Sequence, residues 1–244
     1  MKLDATRIVS RVRLAALSWC TLFSLLLSWP VVGEPLPYRV ASQREAGGGV
    51  AVEIPYSFGT HRAMAGEIEG VIGLQRETLE VQHGHFWLPI VALKSEDPKR
   101  DCHMRESLGL NYAISRFPRD HVCDEHNQLP AKGGDAVAFP NIELLVTGSK
   151  VLDDPRLLDQ GKDVHIVVTG SWTIHGVTRP ARLQLTASAD RKEGGILRVR
   201  GRESFVLRDF GVVVKSANIL FVSSVVKEEV TAIFDLRLKP IQAN

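Results

Sequence analysis

Hydrophobic and polar residues alternate with a period of two along most of the chain beyond residue 49. From residue 164 to 174, for example, Val, Ile, Val, Gly, Trp and Ile occupy every second position, and mostly polar residues lie between them. This pattern is typical of strands with one buried and one solvated face. Nine such segments are predicted, near residues 50–58, 64–74, 79–91, 142–149, 164–175, 181–189, 196–207, 219–226 and 230–239.

Short turns separate many of these segments, such as Gly176 to Pro180 and Lys192 to Gly195. Short connections between successive strands imply antiparallel pairing. A meander of about eight strands removes its exposed edges most simply by closing into a barrel. The sequence therefore predicts an all-β fold, an extended eight-stranded antiparallel barrel.

The stretch from Asp97 to Pro140 departs from this period. It contains two sets of apolar residues at helical spacing, which are Met104, Leu108 and Tyr112, and Leu110, Ile114 and Phe117. Pro98 is placed to open a helix, and Pro118 to end the helical region. We therefore predict a short α-helix, then a long insertion over about residues 110–137 at one end of the barrel. A loop of this length is uncommon unless a cross-link or other contacts restrain it.

The first 33 residues predict a signal peptide. A basic leader with one Lys and three Arg residues precedes an apolar run over residues 14–29, and Pro30 and small or branched residues follow. This arrangement is typical of secretory signals, and cleavage would place the mature protein in the periplasm or outside the cell. The alternative is an uncleaved membrane anchor, because the apolar run is close to the length that spans a bilayer. Residues 34–48 are predicted to be a flexible lead-in, and residues 49–240 the barrel domain.

The charge of the predicted mature chain argues against nucleic acid as a partner. The whole chain has 30 Lys and Arg against 28 Asp and Glu, and residues 1–33 hold four of the basic and one of the acidic residues. The remainder is thus nearly neutral and lacks the basic excess of nucleic-acid-binding domains.

Two cysteines, Cys102 and Cys123, remain beyond the predicted signal. In an oxidising compartment such a pair is most simply a disulfide. The bridge would close a loop of about twenty residues and contribute roughly 3 kcal/mol. The alternative is two free thiols in a reducing compartment.

No catalytic or metal site is predicted. The eight histidines include His83 with His85, and His103, His121 and His126 near the cysteines, but none has a spacing diagnostic of zinc. The chain has no G-x-S-x-G motif and no phosphate-binding glycine loop. We expect a protein that is not an enzyme.

The apolar face of the predicted barrel is the candidate binding site. A barrel of about eight strands can enclose one small ligand, although the same face could instead form a packed core. In strand 79–91, the pattern does not decide which face is inside: it is either the face with Phe86, Leu88 and Ile90 or the face with Trp87, Pro89 and Val91. The predicted lipid-binding residues are Phe86, Leu88, Ile90, Trp172, Ile174, Phe205, Leu207 and Phe234.

Three segments carry a family resemblance. The first is GSWTIHGVTRP from Gly170 to Pro180, and the second is RDCHMR from Arg100, followed later by FPNIEL from Phe139. The third is FVLRDFG from Phe205 to Gly211. In this order they resemble the YceI-like family of lipocalin-like, polyisoprenoid-binding proteins, and the resemblance extends over about residues 49–239.

The resemblance implies a lipocalin-like barrel that carries a long isoprenoid chain, such as a quinone tail or a polyprenyl lipid, without catalytic residues or another cofactor. The residues at the family's characteristic positions, mostly with structural roles, are Arg100, Asp101, His103, Trp172, Thr173, His175 and Phe210. Asp101 and His175 are expected to hold turns by hydrogen bonds to the backbone, at about 1 kcal/mol each.

Two departures from the family pattern leave the ligand open. Trp172 stands where the family usually has Leu and is expected to narrow the bore, and the insertion is expected to cap the barrel or form a partner surface. The leading hypothesis is an exported lipid carrier. The alternatives are a stress-response or protein-interaction module with a filled barrel, and a metal-associated redox accessory protein. Contact with a membrane surface, without a mature spanning segment, and a homodimer both stay open.

Overall fold

The computed structural model describes residues 35–41, 48–111, 137–190, 195–214, 217–219, 222–224 and 226–241. Within these ranges the chain forms strands and one α-helix, α1 (Pro98–Gly109). Short 3₁₀ turns lie at Ile90–Ala92, Pro155–Leu157 and Leu207–Phe210. The strands are β1 (Leu36–Val40), β2 (Gly49–Tyr56), β3 (Gly59–Ala65), β4 (Glu69–Leu74), β5 (Val81–Pro89), β6 (Leu93–Lys94), β7 (Asn141–Val151), β8 (Val164–Ile174), β9 (Val177–Ala189), β10 (Leu197–Val206), β11 (Ala217–Ile219), β12 (Val222–Ser224) and β13 (Glu229–Pro240).

Eight strands close into an antiparallel barrel in the order β1-β4-β5-β7-β8-β9-β10-β13, and β13 pairs back with β1. One edge of β13 pairs with β10, and the opposite edge is shared between two other strands. Its second half pairs with β1, and its first half pairs with β2, from which β3 and β6 extend the wall. The predicted all-β class and eight-stranded antiparallel barrel with one short helix are confirmed.

Strand β1 corrects part of the predicted flexible lead-in over residues 34–48, because residues 36–40 form a strand. Residues 34 and 42–47 lie outside the described residues. Residues Leu36–Val40 pair with both β4 and β13 and close the ring. Tyr38 lies between Ile72 and Pro240 and is only 2% exposed. The two prolines at 35 and 37 conceal the strand in the sequence, because proline lacks the backbone N–H that a central strand needs.

Two strand boundaries also differ from prediction. The expected strand 64–74 is divided into β3 and β4, which pair with different neighbours. In place of the expected strand 219–226 there are two short antiparallel strands, β11 and β12, and the first of them already begins at Ala217. Helix α1 ends at Gly109, just before the predicted insertion, and Leu110 is extended. A Cβ at position 109 would lie 2.5 Å from Cδ1 of Ile90, so glycine permits the helix end to pack closely on this residue.

An ion pair on the barrel surface gives the fold a pH-dependent contribution. Arg198 donates two hydrogen bonds, at 2.7 and 2.6 Å, to the two carboxylate oxygens of Asp235 on the neighbouring strand. These hydrogen bonds hold the pKa of Asp235 below its ordinary value of 3.8, although burial opposes the shift. A carboxyl group with a lowered folded pKa stabilises the fold above its unfolded pKa, and this contribution is lost as the pH falls through the folded value.

We therefore expect Asp235→Asn to lower the free energy of unfolding by about 0.5–1 kcal/mol at neutral pH, a modest value because both side chains are partly solvated. The difference from the unaltered protein should shrink as the pH falls below 3.8. Urea denaturation of both proteins at neutral and acidic pH measures it. A difference that stays constant with pH would show that the charge of Asp235 is not its cause.

Candidate functional site

A cavity of about 800 Å³ lies inside the barrel. Its wall is built by the alternation of the strands, since every second residue of a strand faces inward. In β8 these residues are Ile166, Val168, Trp172 and Ile174. In β13 they are Val230, Ala232, Phe234, Leu236 and Leu238. The two strands thus present continuous apolar faces to the cavity.

The cavity is long as well as apolar. Val230 and Leu238 both border it and are eight residues apart on β13. At about 3.4 Å per residue, this separation is about 27 Å along the strand. Ligand sites for small molecules usually have volumes of about 300–1,000 Å³. The shape therefore suits one extended apolar chain.

Three aromatic rings pack together in the cavity wall. The Trp172 ring stacks on Phe234 with 6.0 Å between ring centroids and meets Phe205 edge to face at 5.3 Å. Trp172 is 8% exposed, and its Nε1 has no hydrogen-bond partner among the described residues. The indole therefore acts as apolar bulk, and it stands inside the wall as the sequence predicts.

Seven of the eight residues predicted to bind lipid border the cavity: Phe86, Leu88, Trp172, Ile174, Phe205, Leu207 and Phe234. Ile90 does not. It is buried in a 3₁₀ turn and packs against Gly109 of α1, because β5 ends at Pro89 and the alternation stops there. In the 79–91 segment Trp87 also borders the cavity, whereas Pro89 and Val91 do not.

The prediction missed the part of the wall that comes from β2 and α1. Val50 and Ile54 of β2, and Met104 and Leu108 of α1, also border the cavity. The sequence carries a signal for both pairs. The first pair follows the period of two, and the second is spaced at i and i+4, which places both side chains on one face of a helix.

Asp101 holds α1 to the preceding chain. Its Oδ1 accepts hydrogen bonds from the backbone N–H of Ser95 at 2.8 Å and from the Ser95 hydroxyl at 2.7 Å, and both residues are buried. Arg100 donates to the Ser95 carbonyl at 3.4 Å and lies 3.3 Å from Oδ2 of Asp97. Ring atom Nδ1 of His103 lies 3.1 Å from Oε2 of Glu106. The RDxH segment thus fixes the position of the helix, which borders the cavity.

We expect Asp101→Ala to lower the free energy of unfolding by about 2–3 kcal/mol, because two buried donors of Ser95 lose their acceptor. Asp101→Asn keeps an acceptor oxygen at the same place and should recover part of the loss. Urea denaturation of the three proteins measures both effects. A loss of less than about 0.5 kcal/mol for the Ala variant, as for a surface substitution, would contradict this role.

His175 joins the barrel to the base of the insertion. Its Nε2 donates to the backbone carbonyl of Leu110 at 2.6 Å, and its ring packs against Phe139. The carbonyl of Gly109 accepts from the N–H groups of Ala138 and Phe139 at 2.8 and 3.0 Å. The two ends of the insertion are therefore held together. Residues 112–136, between these ends, lie outside the described residues.

The other two motif residues have local roles. The Thr173 hydroxyl hydrogen-bonds the Thr178 hydroxyl at 2.9 Å across the β8–β9 hairpin. Phe210 is buried, and its ring centroid lies 6.1 Å from that of Phe205.

Cys102 is fully buried in α1. Cys123 lies outside the described residues, together with His121 and His126, so the disulfide with Cys102 stays a prediction. In the described ranges, no group of three or more His, Cys, Asp or Glu residues is placed to hold a metal ion. The one α-helix in those ranges is too short to cross a membrane.

A closed eight-stranded barrel around a ligand-sized apolar cavity is the architecture of lipocalin-like proteins. The YceI-like domain matches residues 49–238, and the chain belongs to this family. Strand β1, which closes the ring, precedes the matched region. Among curated proteins, none matches the chain in sequence.

Several solved structures are similar to this chain. A polyisoprenoid-binding domain from Saccharophagus degradans, implicated in plant cell wall breakdown, has a TM-score of 0.55 and 12% identity, over 84% of this chain and 99% of that chain. BcnA from Burkholderia cenocepacia has a TM-score of 0.49 and 12% identity, over 79% and 96% of the respective chains. A YCEI protein from Campylobacter jejuni has a TM-score of 0.46 and 13% identity, over 72% and 82%.

Proposed function

We propose that this protein is an exported carrier that binds a polyisoprenoid or another long-chain amphiphile inside its barrel. The observation that carries the proposal is the cavity of about 800 Å³, whose wall is aliphatic and aromatic along the length of β13. A module that acts only through its outer surface needs no such space. Membership of the YceI-like family supports the same class of ligand, since the similar domain from Saccharophagus degradans is described as polyisoprenoid-binding.

Binding in this cavity would be driven by burial of the ligand tail. Each methylene group transferred from water contributes about 0.8 kcal/mol, so a long chain binds without a polar anchor. The carrier role assigns no catalytic step to any residue. Export rests on the signal peptide predicted over residues 1–33, which would deliver the barrel to the periplasm or the exterior.

The proposal is tested by titrating the purified protein with geranylgeraniol, a neutral isoprenoid alcohol. Trp172 lies in the cavity wall, so its fluorescence should change as the cavity fills. We expect saturable binding of one molecule per barrel. A signal that never saturates below the solubility limit of the alcohol would contradict carriage in the bore.

A further inference from the structure

The polar side chains that border the cavity are all at one end of it. Apart from the rings of Trp87 and Trp172, every polar or charged group in the wall belongs to the β2–β3 hairpin, or to α1 with its N-cap residue. These polar residues include Tyr56, His61, Asp97, Lys99, Arg100 and His103. We call this end the polar mouth.

The opposite end of the cavity is apolar. Leu74, Leu79, Leu197 and Leu238 line it, and all four are buried. Leu238 lies near the end of β13. Val226, which precedes the start of this strand, is bridged to Tyr56 of the polar mouth. The two ends of the cavity therefore lie at opposite ends of β13. An amphiphile in this cavity would therefore place its tail among the leucines and its head at the polar mouth.

The charges of the polar mouth are mostly positive. Lys99 is exposed and lies within salt-bridge distance of no carboxylate in the described part of the chain. Arg100 is partly exposed. Its guanidinium contacts Asp97 at 3.3 Å and the Ser95 carbonyl at 3.4 Å, which leaves other N–H donors available. The Asp97 carboxylate is already engaged, since its Oδ1 caps α1 by accepting from the Arg100 N–H at 3.1 Å.

The two histidines add hydrogen-bonding groups to the polar mouth. Burial and the nearby charge of Arg100 lower the pKa of His61, although Asp97 opposes the shift. His61 is therefore neutral at neutral pH, and its ring stacks on Tyr56 with 4.0 Å between centroids. His103 is held by the buried carboxylate of Glu106.

We propose that the polar mouth selects amphiphiles with an anionic oxygen head, a phosphate monoester or a carboxylate, which Lys99 and Arg100 bind while the tail occupies the bore. The inference rests on the proposed function and narrows its ligand class. Guanidinium and ammonium groups form their strongest hydrogen bonds with such oxygens, and Arg can bind two oxygens at once. A cationic head would instead be repelled by both side chains.

The test compares three ligands with the same tail: geranylgeranyl phosphate, geranylgeranic acid and geranylgeraniol. Dissociation constants are measured for the full chain and for the double variant Lys99→Gln/Arg100→Gln. The matched control is Arg62→Gln/Lys94→Gln, which removes the same charges from exposed positions on β3 and β6 that do not border the cavity. The readout is the ratio of anion to alcohol affinity within each protein.

We expect the unaltered protein to bind at least one anion about ten- to a hundredfold more tightly than the alcohol. The ratio should fall to within about threefold in the Lys99/Arg100 variant and stay unchanged in the control. The tighter of the two anions identifies the head group. Equal binding of all three ligands by the unaltered protein, or an equal loss in the control, would overturn the inference and leave the carrier role intact. Binding of none would contradict the carrier role itself.

Discussion

Deletion of residues 35–41 is expected to abolish cooperative folding of the barrel. Strand β1 is the element that joins β4 to β13, so its removal leaves two open strand edges in place of a closed ring. It also exposes the inner face of β4 and the second half of β13, where Ile72, Leu74 and Leu238 are buried. Chemical denaturation followed by circular dichroism measures the loss.

A point substitution tests the same role without removing backbone. We expect Tyr38→Ala to lower the free energy of unfolding by about 3–5 kcal/mol, because the side chain is almost fully buried between its neighbours. Leu36→Ala is the matched control. Leu36 is in the same strand but 51% exposed, and its loss should be less than about 1 kcal/mol. Equal losses at the two positions, or a deletion protein as stable as the intact one, would show that β1 does not close the barrel.

Phe234→Asp is expected to reduce affinity for geranylgeraniol by more than about tenfold, since a carboxylate in the bore must be desolvated when an apolar tail fills it. The residue borders the cavity and stacks on Trp172. Ile233→Asp is the matched control, because Ile233 is the preceding residue of β13 and faces the outer surface beside Arg200 and Arg202. Fluorescence titration and denaturation of both variants separate binding from stability.

A cavity-filling variant covers the case in which Phe234→Asp does not fold. Val199 borders the cavity from β10, so Val199→Trp places an apolar ring in the space that the tail would occupy. We expect a folded protein with at least about tenfold weaker binding, because the ligand loses burial at about 0.8 kcal/mol for each methylene displaced. Binding that is unchanged in both bore variants would place the ligand outside the barrel.

Much of the fold could be predicted from alternation, because inward and outward positions of a barrel strand differ in solvation at every step. Strand β8 is the clearest case: its predicted bounds, 164–175, differ by one residue from Val164–Ile174. Strand β1 could not be predicted in this way. It is five residues long, contains Pro37, and owes its place to the edges of β4 and β13, which are distant in sequence.

The cavity site was predictable in part for the same reason. The aromatic and aliphatic residues of β8, β10 and β13 follow the period of two, so their shared face is visible in the sequence. The prediction for Ile90 was wrong because it continued the alternation past Pro89, where β5 ends and a 3₁₀ turn begins. The polar mouth could not be derived either. Tyr56 and Lys99 both border the cavity only because the fold brings α1 and the hairpin of β2 and β3 to the same part of it.

The most direct measurement of lipid carriage is native mass spectrometry of the protein gently purified from its own source, combined with extraction and identification of bound lipid. We expect one molecule of a long-chain amphiphile per barrel, released on denaturation and lacking in the Val199→Trp variant. Protein that carries no lipid from its source and takes up none when it is supplied would contradict the central claim.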